Sequence, residues 1–194
     1  MRIAILGGAF DPPTNGHINL AQCILDRLGF DEVWMMPVSQ HTFEKKMTIF
    51  EHRITMCLIA TDFNPRIHVT YYKQENNHID GTLSLYRKLR KTYKEKFYMV
   101  IGMDNANNIN KWINADELIN IVPFIVVTRK GVTKNEKINW YIEDDKHIFV
   151  KDCDIMEISS TMIRDAVKHN NKEILKQGLN PNVLTYIKDY KLYE

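Results

Sequence analysis

Six short apolar runs recur along this chain, and what lies between them decides what they can build. They are RIAIL (2 to 6), EVWMMPV (32 to 38), IHVTYY (67 to 72), FYMVI (97 to 101), FIVVT (124 to 128) and HIFV (147 to 150). Each has the length of a strand, and most are separated by apolar residues at helical spacing. Leu20, Ala21, Ile24, Leu25 and Leu28 repeat in that way and stop at Gly29, which predicts a helix end. Thr48 and Glu51 have capping-box spacing, so a second helix is expected to start there. Asp80 is placed to cap a third, with Leu85 and Leu89, and Asn180 followed by Pro181 opens a last one. Short apolar strands alternating with helices make a mostly parallel sheet covered on both faces. The predicted class is therefore α/β, a Rossmann-like doubly wound sheet. Without repeats or linker-like tracts, residues 1–194 read as a single domain. From about 158 to 194 no strand pattern appears, which predicts a helical C-terminal appendage packed on the sheet edge. The polar stretch from 130 to 145 reads as a surface excursion.

Composition excludes several functions. With 26 Lys and Arg against 24 Asp and Glu, spread along the chain, there is no basic footprint for nucleic acid. No apolar stretch approaches a membrane span, no signal peptide is read at the N-terminus, and a cytoplasmic location is expected. Cys23, Cys57 and Cys153, odd in number and widely spaced, suggest neither a disulfide framework nor a paired-cysteine zinc site. They are expected to be reduced core thiols.

The stretch GGAFDPPTNGH (7 to 17) follows the first strand, where an open α/β sheet holds phosphate at the start of a helix. Gly7 and Gly8 permit close approach of a ligand and positive φ, Pro12 and Pro13 stiffen the turn, and Gly16 and His17 fall where the helix begins. Such a turn presents main-chain N–H groups and one imidazole. Neither G-x-x-x-x-G-K-[ST] nor G-x-G-x-x-G occurs in the chain, which excludes a P-loop NTPase and an ordinary dinucleotide dehydrogenase. A second stretch, ISSTMIR (158 to 164), has Ser159 or Ser160 as a helix cap with Arg164 one turn on. Hydroxyls, helix N-terminus and guanidinium would converge on an anion.

The pattern running from Gly8 through Phe10, Pro12, Thr14 and Gly16 to His17, together with ISSTMIR, resembles the nucleotidyltransferase superfamily. The middle of the chain narrows the likeness. VIGMDNANNINKWINADELI (100 to 119) and FIVVTRKG (124 to 131) look like segments of the adenylyltransferases that make the dinucleotide of NAD from nicotinate or nicotinamide mononucleotide. So do Lys45, Lys46, His52 and Arg53, and the tail NPNVLTYIKDYKLY. The matches run in order over nearly the whole chain. Thr14 stands where many superfamily members carry histidine, although threonine also occurs in this branch. Residues 76 to 83 keep Thr82 and Leu83 but lack the Tyr-Thr pair of the bacterial nicotinate-preferring enzymes, and VSQHTFEKK looks closer to the nicotinamide-using branch.

The resemblance implies attack of a mononucleotide 5′-phosphate on the α-phosphorus of ATP, with pyrophosphate leaving. The nucleophile is already an anion, so no general base is needed and catalysis rests on positioning and charge neutralisation. His17, Thr14 and Arg164 are the implied catalytic residues. Gly8, Ala9, Phe10, Gly16, Lys46, Ser159, Ser160 and Thr161 are expected around the ATP phosphates. Gly7, Thr82, Gly102, Asp104, Trp112 and Arg129 are expected around the nucleotide and pyridine. Mg2+ would arrive on the triphosphate, as no protein cage is read from the sequence. The partners expected are ATP and a pyridine mononucleotide, with a homo-oligomer left open. Nicotinate mononucleotide is the preferred acceptor, with nicotinamide mononucleotide the alternative. A phosphopantetheine adenylyltransferase, a cytidylyltransferase of the superfamily, or a non-catalytic nucleotide sensor are the further alternatives.

Overall fold

The computed structural model describes residues 1–38, 47–70, 81–128, 134, 135, 137–151, 153 and 156–194. Every apolar run named above carries a strand: β1 (Arg2–Gly8), β2 (Glu32–Pro37), β3 (Ile67–Val69), β4 (Lys96–Gly102), β5 (Phe124–Val127) and β6 (Ile148–Val150). All neighbours pair in parallel, in the order β3-β2-β1-β4-β5-β6. The period of two along each strand divides the core between the faces. Ile3, Ile5, Phe97, Met99, Ile101, Phe124 and Val126 belong to one buried cluster. Ala4, Leu6, Val100, Ile125 and Val127 belong to the other.

The helices are α1 (Asn15–Arg27), α2 (Phe50–Thr61), α3 (Thr82–Thr92), α4 (Met103–Asn107), α5 (Ala115–Ile121), α6 (Trp140–Glu143), α7 (Ser160–Lys168), α8 (Lys172–Gly178) and α9 (Pro181–Asp189). Leu83, Tyr86 and Leu89 of α3 and Leu118 of α5 fill the first cluster. Tyr141 of α6 is also buried there, so the surface excursion expected from 130 to 145 contains a core side chain. Ile24 of α1 and Met56 of α2 fill the second cluster. Ile163, Leu175, Val183 and Ile187 of α7 to α9 join that same cluster, so the C-terminal helices cover a face of the sheet over α1 and α2 instead of its edge.

Two expected caps differ. The N-cap of α2 is Ile49, because the main chain of Thr48 is engaged elsewhere: its N–H donates to Asp11 Oδ2 and its carbonyl accepts from Arg53 Nε. Gly81 holds the N-cap position of α3, and Asp80 lies outside the described residues. Asn180 does cap α9, its side chain accepting from the Asn182 N–H with Pro181 in the first turn.

The cysteine expectation is corrected in part. Cys57 is a buried thiol, pushed up by burial to about 12. Cys23 and Cys153 are joined by a disulfide across 130 residues of sequence, because α1 and the segment after β6 meet on one face. His147, just before β6, is buried against Trp140, with ring centroids 4.8 Å apart. Its Nδ1 accepts from the Phe124 N–H at 3.2 Å, and burial pushes its pKa down to about 4. Among the described residues, no helix is long and apolar enough to cross a membrane.

Candidate active site

The strand order reverses between β1 and β4, and in such sheets ligands bind beyond the carboxyl ends of the strands at that point. β1 ends at Gly8 and β4 at Gly102, so both of these expected site residues lie there.

Gly7 and Gly8 remain within β1 and do not take the positive φ anticipated for them. That conformation falls on Phe10, at φ 47°, an uncommon region for a residue with a side chain. The ring is buried and meets His17 edge to face, with centroids 5.0 Å apart. A side chain on Gly8 would come within 3.1 Å of that ring.

The loop between β1 and α1 is held by its carbonyl groups. Gly8 O accepts from the Val38 N–H at 3.0 Å, on the β2 side of the strand. Ala9 O accepts from Arg53 Nη1 at 2.7 Å, Asp11 O from Arg164 Nη1 at 2.8 Å, and Pro12 O from Ser160 Oγ at 2.8 Å. In a trans peptide unit the N–H points opposite to the carbonyl. The Gly8 and Ala9 bonds therefore turn the N–H groups of Ala9 and Phe10 away from β2 and from Arg53.

Thr14 is the N-cap of α1, and its N–H donates to His17 Nδ1 at 3.0 Å. An N–H can only donate, so Nδ1 is the acceptor and the neutral imidazole carries its proton on Nε2. Thr14 Oγ1 lies 2.8 Å from the same Nδ1, which fixes the ring from a second atom. Gly16 permits the first motif to approach the start of the second: a Cβ there would stand 2.6 Å from the carbonyl oxygen of Met156 and 3.6 Å from that of Ile158.

In ISSTMIR the two serines divide the work. Ser159 caps α7, accepting from the Met162 N–H, while Ser160 reaches back to the loop. Arg164 also donates to Thr161 Oγ1 at 3.1 Å. A guanidinium has five N–H donors, so these bonds leave capacity for an anion.

Across the switch point, buried Gly102 is the N-cap of α4 and Asp104 is exposed in its first turn. Half-buried Trp112 packs against the first cluster, the one with Ile3, Ile5 and Phe97. Thr82 opens α3, and a Cβ on the preceding Gly81 would lie 3.8 Å from Ile113 Cβ, so the Thr82 and Trp112 segments are neighbours. Lys45, Lys46 and Arg129 lie outside the described residues.

Three residues here were not singled out as site residues. Arg53 is 1% exposed; burial lowers its pKa and the Asp11 charge opposes that shift. Asp11 Oδ1 accepts from the Tyr193 hydroxyl at 2.6 Å. Arg53 belongs to the family-like His-Arg pair and Tyr193 ends the family-like tail NPNVLTYIKDYKLY, but neither pattern assigns a role to the residue; Asp11 sits inside the first motif as an unremarked position. Among the described residues there is no cluster of three or more His, Cys, Asp or Glu that could hold a metal ion.

The cytidylyltransferase-like family model matches residues 5–166. The probable nicotinate-nucleotide adenylyltransferase of Bacillus licheniformis is 31% identical, over 100% of this chain and 98% of the relative. The nicotinate-nucleotide adenylyltransferase of Bacillus subtilis shows the same identity and coverage. Among solved structures, Plasmodium falciparum nicotinic acid mononucleotide adenylyltransferase complexed with NaAD matches with a TM-score of 0.83 at 25% identity, covering 99% of this chain and 97% of that one.

Proposed function

The chain belongs to the nicotinate-nucleotide adenylyltransferase family, within the cytidylyltransferase-like group, and on that premise we propose that it transfers the AMP of ATP to nicotinate mononucleotide in NAD biosynthesis. An oxygen of the mononucleotide 5′-phosphate attacks the α-phosphorus of ATP. The bond from that phosphorus to the bridging oxygen breaks, and pyrophosphate leaves as deamido-NAD forms. No proton has to be removed from the nucleophile, so the protein's part is alignment and charge neutralisation.

The observation that carries this reading is the fixed orientation of the β1–α1 loop. The carbonyls of Gly8 and Ala9 are bound by Val38 and Arg53, which turns the next two N–H groups away from those partners; in this reading they face the reacting phosphates. His17, with its proton on Nε2, is the third donor of the set. Donors that are already oriented need no rearrangement as charge builds on the transferring phosphate. Ser159, Thr161 and Arg164 at the start of α7 hold the leaving pyrophosphate end of ATP, where the helix terminus adds its own positive potential. Thr82, Asp104 and Trp112 take the acceptor mononucleotide and the nucleoside parts. A divalent cation, Mg2+ in this reading, belongs to the ATP substrate.

Purified protein with ATP and each mononucleotide in turn, followed by pyrophosphate release and chromatography of the dinucleotide, tests the reading. We expect deamido-NAD and a kcat/KM favouring nicotinate mononucleotide. A nicotinamide preference of about tenfold, roughly 1.4 kcal/mol, would overturn the acceptor, and silence with both would overturn the reaction.

A further inference from the structure

The last residues of the chain leave α9 in an uncommon conformation. Lys191 and Tyr193 both have left-handed φ values, 52° and 68°, and the Leu192 N–H folds back onto Ile187 O at 2.9 Å. Side chains pay for such backbone geometry in free energy, so it persists only where the surroundings impose it. Here it delivers the Tyr193 phenol to Asp11, a partner 182 residues away in sequence, at 2.6 Å. The phenol is pushed far above its usual range by burial and by the bond to Asp11, so it remains a donor at neutral pH.

Asp11 is 5% exposed and gathers bonds from several parts of the fold. Its Oδ2 accepts from the Thr48 N–H ahead of α2, its Oδ1 from Tyr193, and its main-chain oxygen from Arg164. The carboxylate thus sets the position of the same residue whose carbonyl holds the Arg164 guanidinium. α9 is itself fastened to α2, where the Tyr186 hydroxyl and His52 Nδ1 are 2.8 Å apart and the Tyr190 ring lies edge to face on His52. The tail is therefore anchored at both ends.

We propose that Tyr193 is a positioning residue for adenylyl transfer: its hydroxyl fixes Asp11, and through the Asp11 carbonyl it fixes where Arg164 stands toward the phosphates. The inference rests on the reaction proposed above. Tyr193 touches no substrate; it acts through two other residues.

Tyr193→Phe keeps the ring and removes only the hydroxyl, with its bonds to Asp11 and to the Thr48 side chain. Displacement of a charge-stabilising group by a fraction of an ångström is felt in the transition state more than in binding, so we expect kcat to fall about 10- to 100-fold, with both KM values within about twofold of wild type. In an Arg164→Ala background the same substitution should cost almost nothing further, because the group it positions is gone. Tm is read for each protein. A chain ending at Leu192, assayed well below its own Tm, repeats the test if the phenylalanine protein is unstable. A kcat within about twofold of wild type, whatever the change in Tm, overturns the proposal, as does a fully additive loss in the Arg164→Ala background. Wild-type turnover in the same assay tests the reaction itself: an active wild type with an equally active variant removes only the role of Tyr193, whereas an inactive wild type removes both.

Discussion

The two sides of the β1–β4 crevice are built by different means. On the β1 side, the carbonyls of Gly8, Ala9, Asp11 and Pro12 are bound by Val38, Arg53, Arg164 and Ser160, partners from three separate places in the sequence. On the β4 side, the bonds from Gly102 to Leu118 are largely local: Asn108 to Asp104 and Asn105, Lys111 to Asn108, Trp112 to Ile109, Leu118 to Asn114. Asp104, Asn105 and Asn108 are exposed. Longer connections do reach this segment, from Trp140 Nε1 to Ala106 O at 3.4 Å and from the Asn135 N–H to Asn107 Oδ1 at 3.2 Å. They hold α4 as a body and leave the stretch leading to Trp112 to its own turns. A phosphoryl centre needs donors that are in place before charge develops, and the side proposed to meet the phosphates is the one fixed from outside. The side assigned to the acceptor is free to vary in detail without disturbing them.

The largest test of this contrast is Arg53→Met. It frees the Thr48 and Ala9 carbonyls, each now bonded by a buried charged donor worth about 1.5–3 kcal/mol, so stability should fall by about 3–5 kcal/mol in urea unfolding. A loss under about 1 kcal/mol would mean that α2 does not brace the loop.

Next is His17→Ala, which removes the Nε2 donor. We expect kcat to drop roughly 100- to 1,000-fold, about 2.7–4 kcal/mol, with ATP affinity nearly retained. Pyrophosphate release and calorimetry with ATP check the two halves of that statement, and near-normal turnover would take the imidazole out of the mechanism.

A pH series separates both sides of the crevice from the far end of β5 and β6. His147 has a folded-state pKa of about 4 against an unfolded value of 6.5, so its stabilisation is complete above 6.5 and is lost as pH falls toward 4. The loss approaches about 3 kcal/mol. Denaturant midpoints across that window should show it, and His147→Asn should flatten the slope.

The smallest effect belongs to the acceptor side. Trp112→Ala should raise the mononucleotide KM roughly two- to twelvefold, the equivalent of about 0.5–1.5 kcal/mol of ring stacking, while the ATP KM stays put. Equal changes in both KM values would show that the acceptor side is coupled to the loop after all.

How far the sequence could be read follows from the range of each interaction. Strands declared themselves through local runs such as FIVV, where four consecutive buried residues leave little choice. The cap at Asn180 depends on Asn182, two residues away, and was equally legible. Thr48 misled because its side chain has the right spacing for a capping box while its main chain is claimed by Asp11, 37 residues earlier. The Cys23–Cys153 bond and the Asp11–Tyr193 bond join residues that only the doubly wound topology brings together. Positive φ is assigned to Gly7 and Gly8 by residue type, whereas the packing of the Phe10 ring against His17 places it two residues beyond Gly8.

The Cys23–Cys153 bond has a topological consequence. It closes a covalent ring that contains β2, β3, β4, β5 and β6, leaving β1 and the C-terminal helices as two tails that leave the ring at its closure. A single backbone cut anywhere between the two cysteines opens the ring without dividing the molecule. Such a nicked chain travels as one species on a denaturing gel until reductant is added, and only then as two. A cut before Cys23 releases the first strand and its loop at once. The His17 and Arg164 motifs lie in those two tails, one on each, so the bond keeps them covalently close by a path that avoids the five strands within the ring.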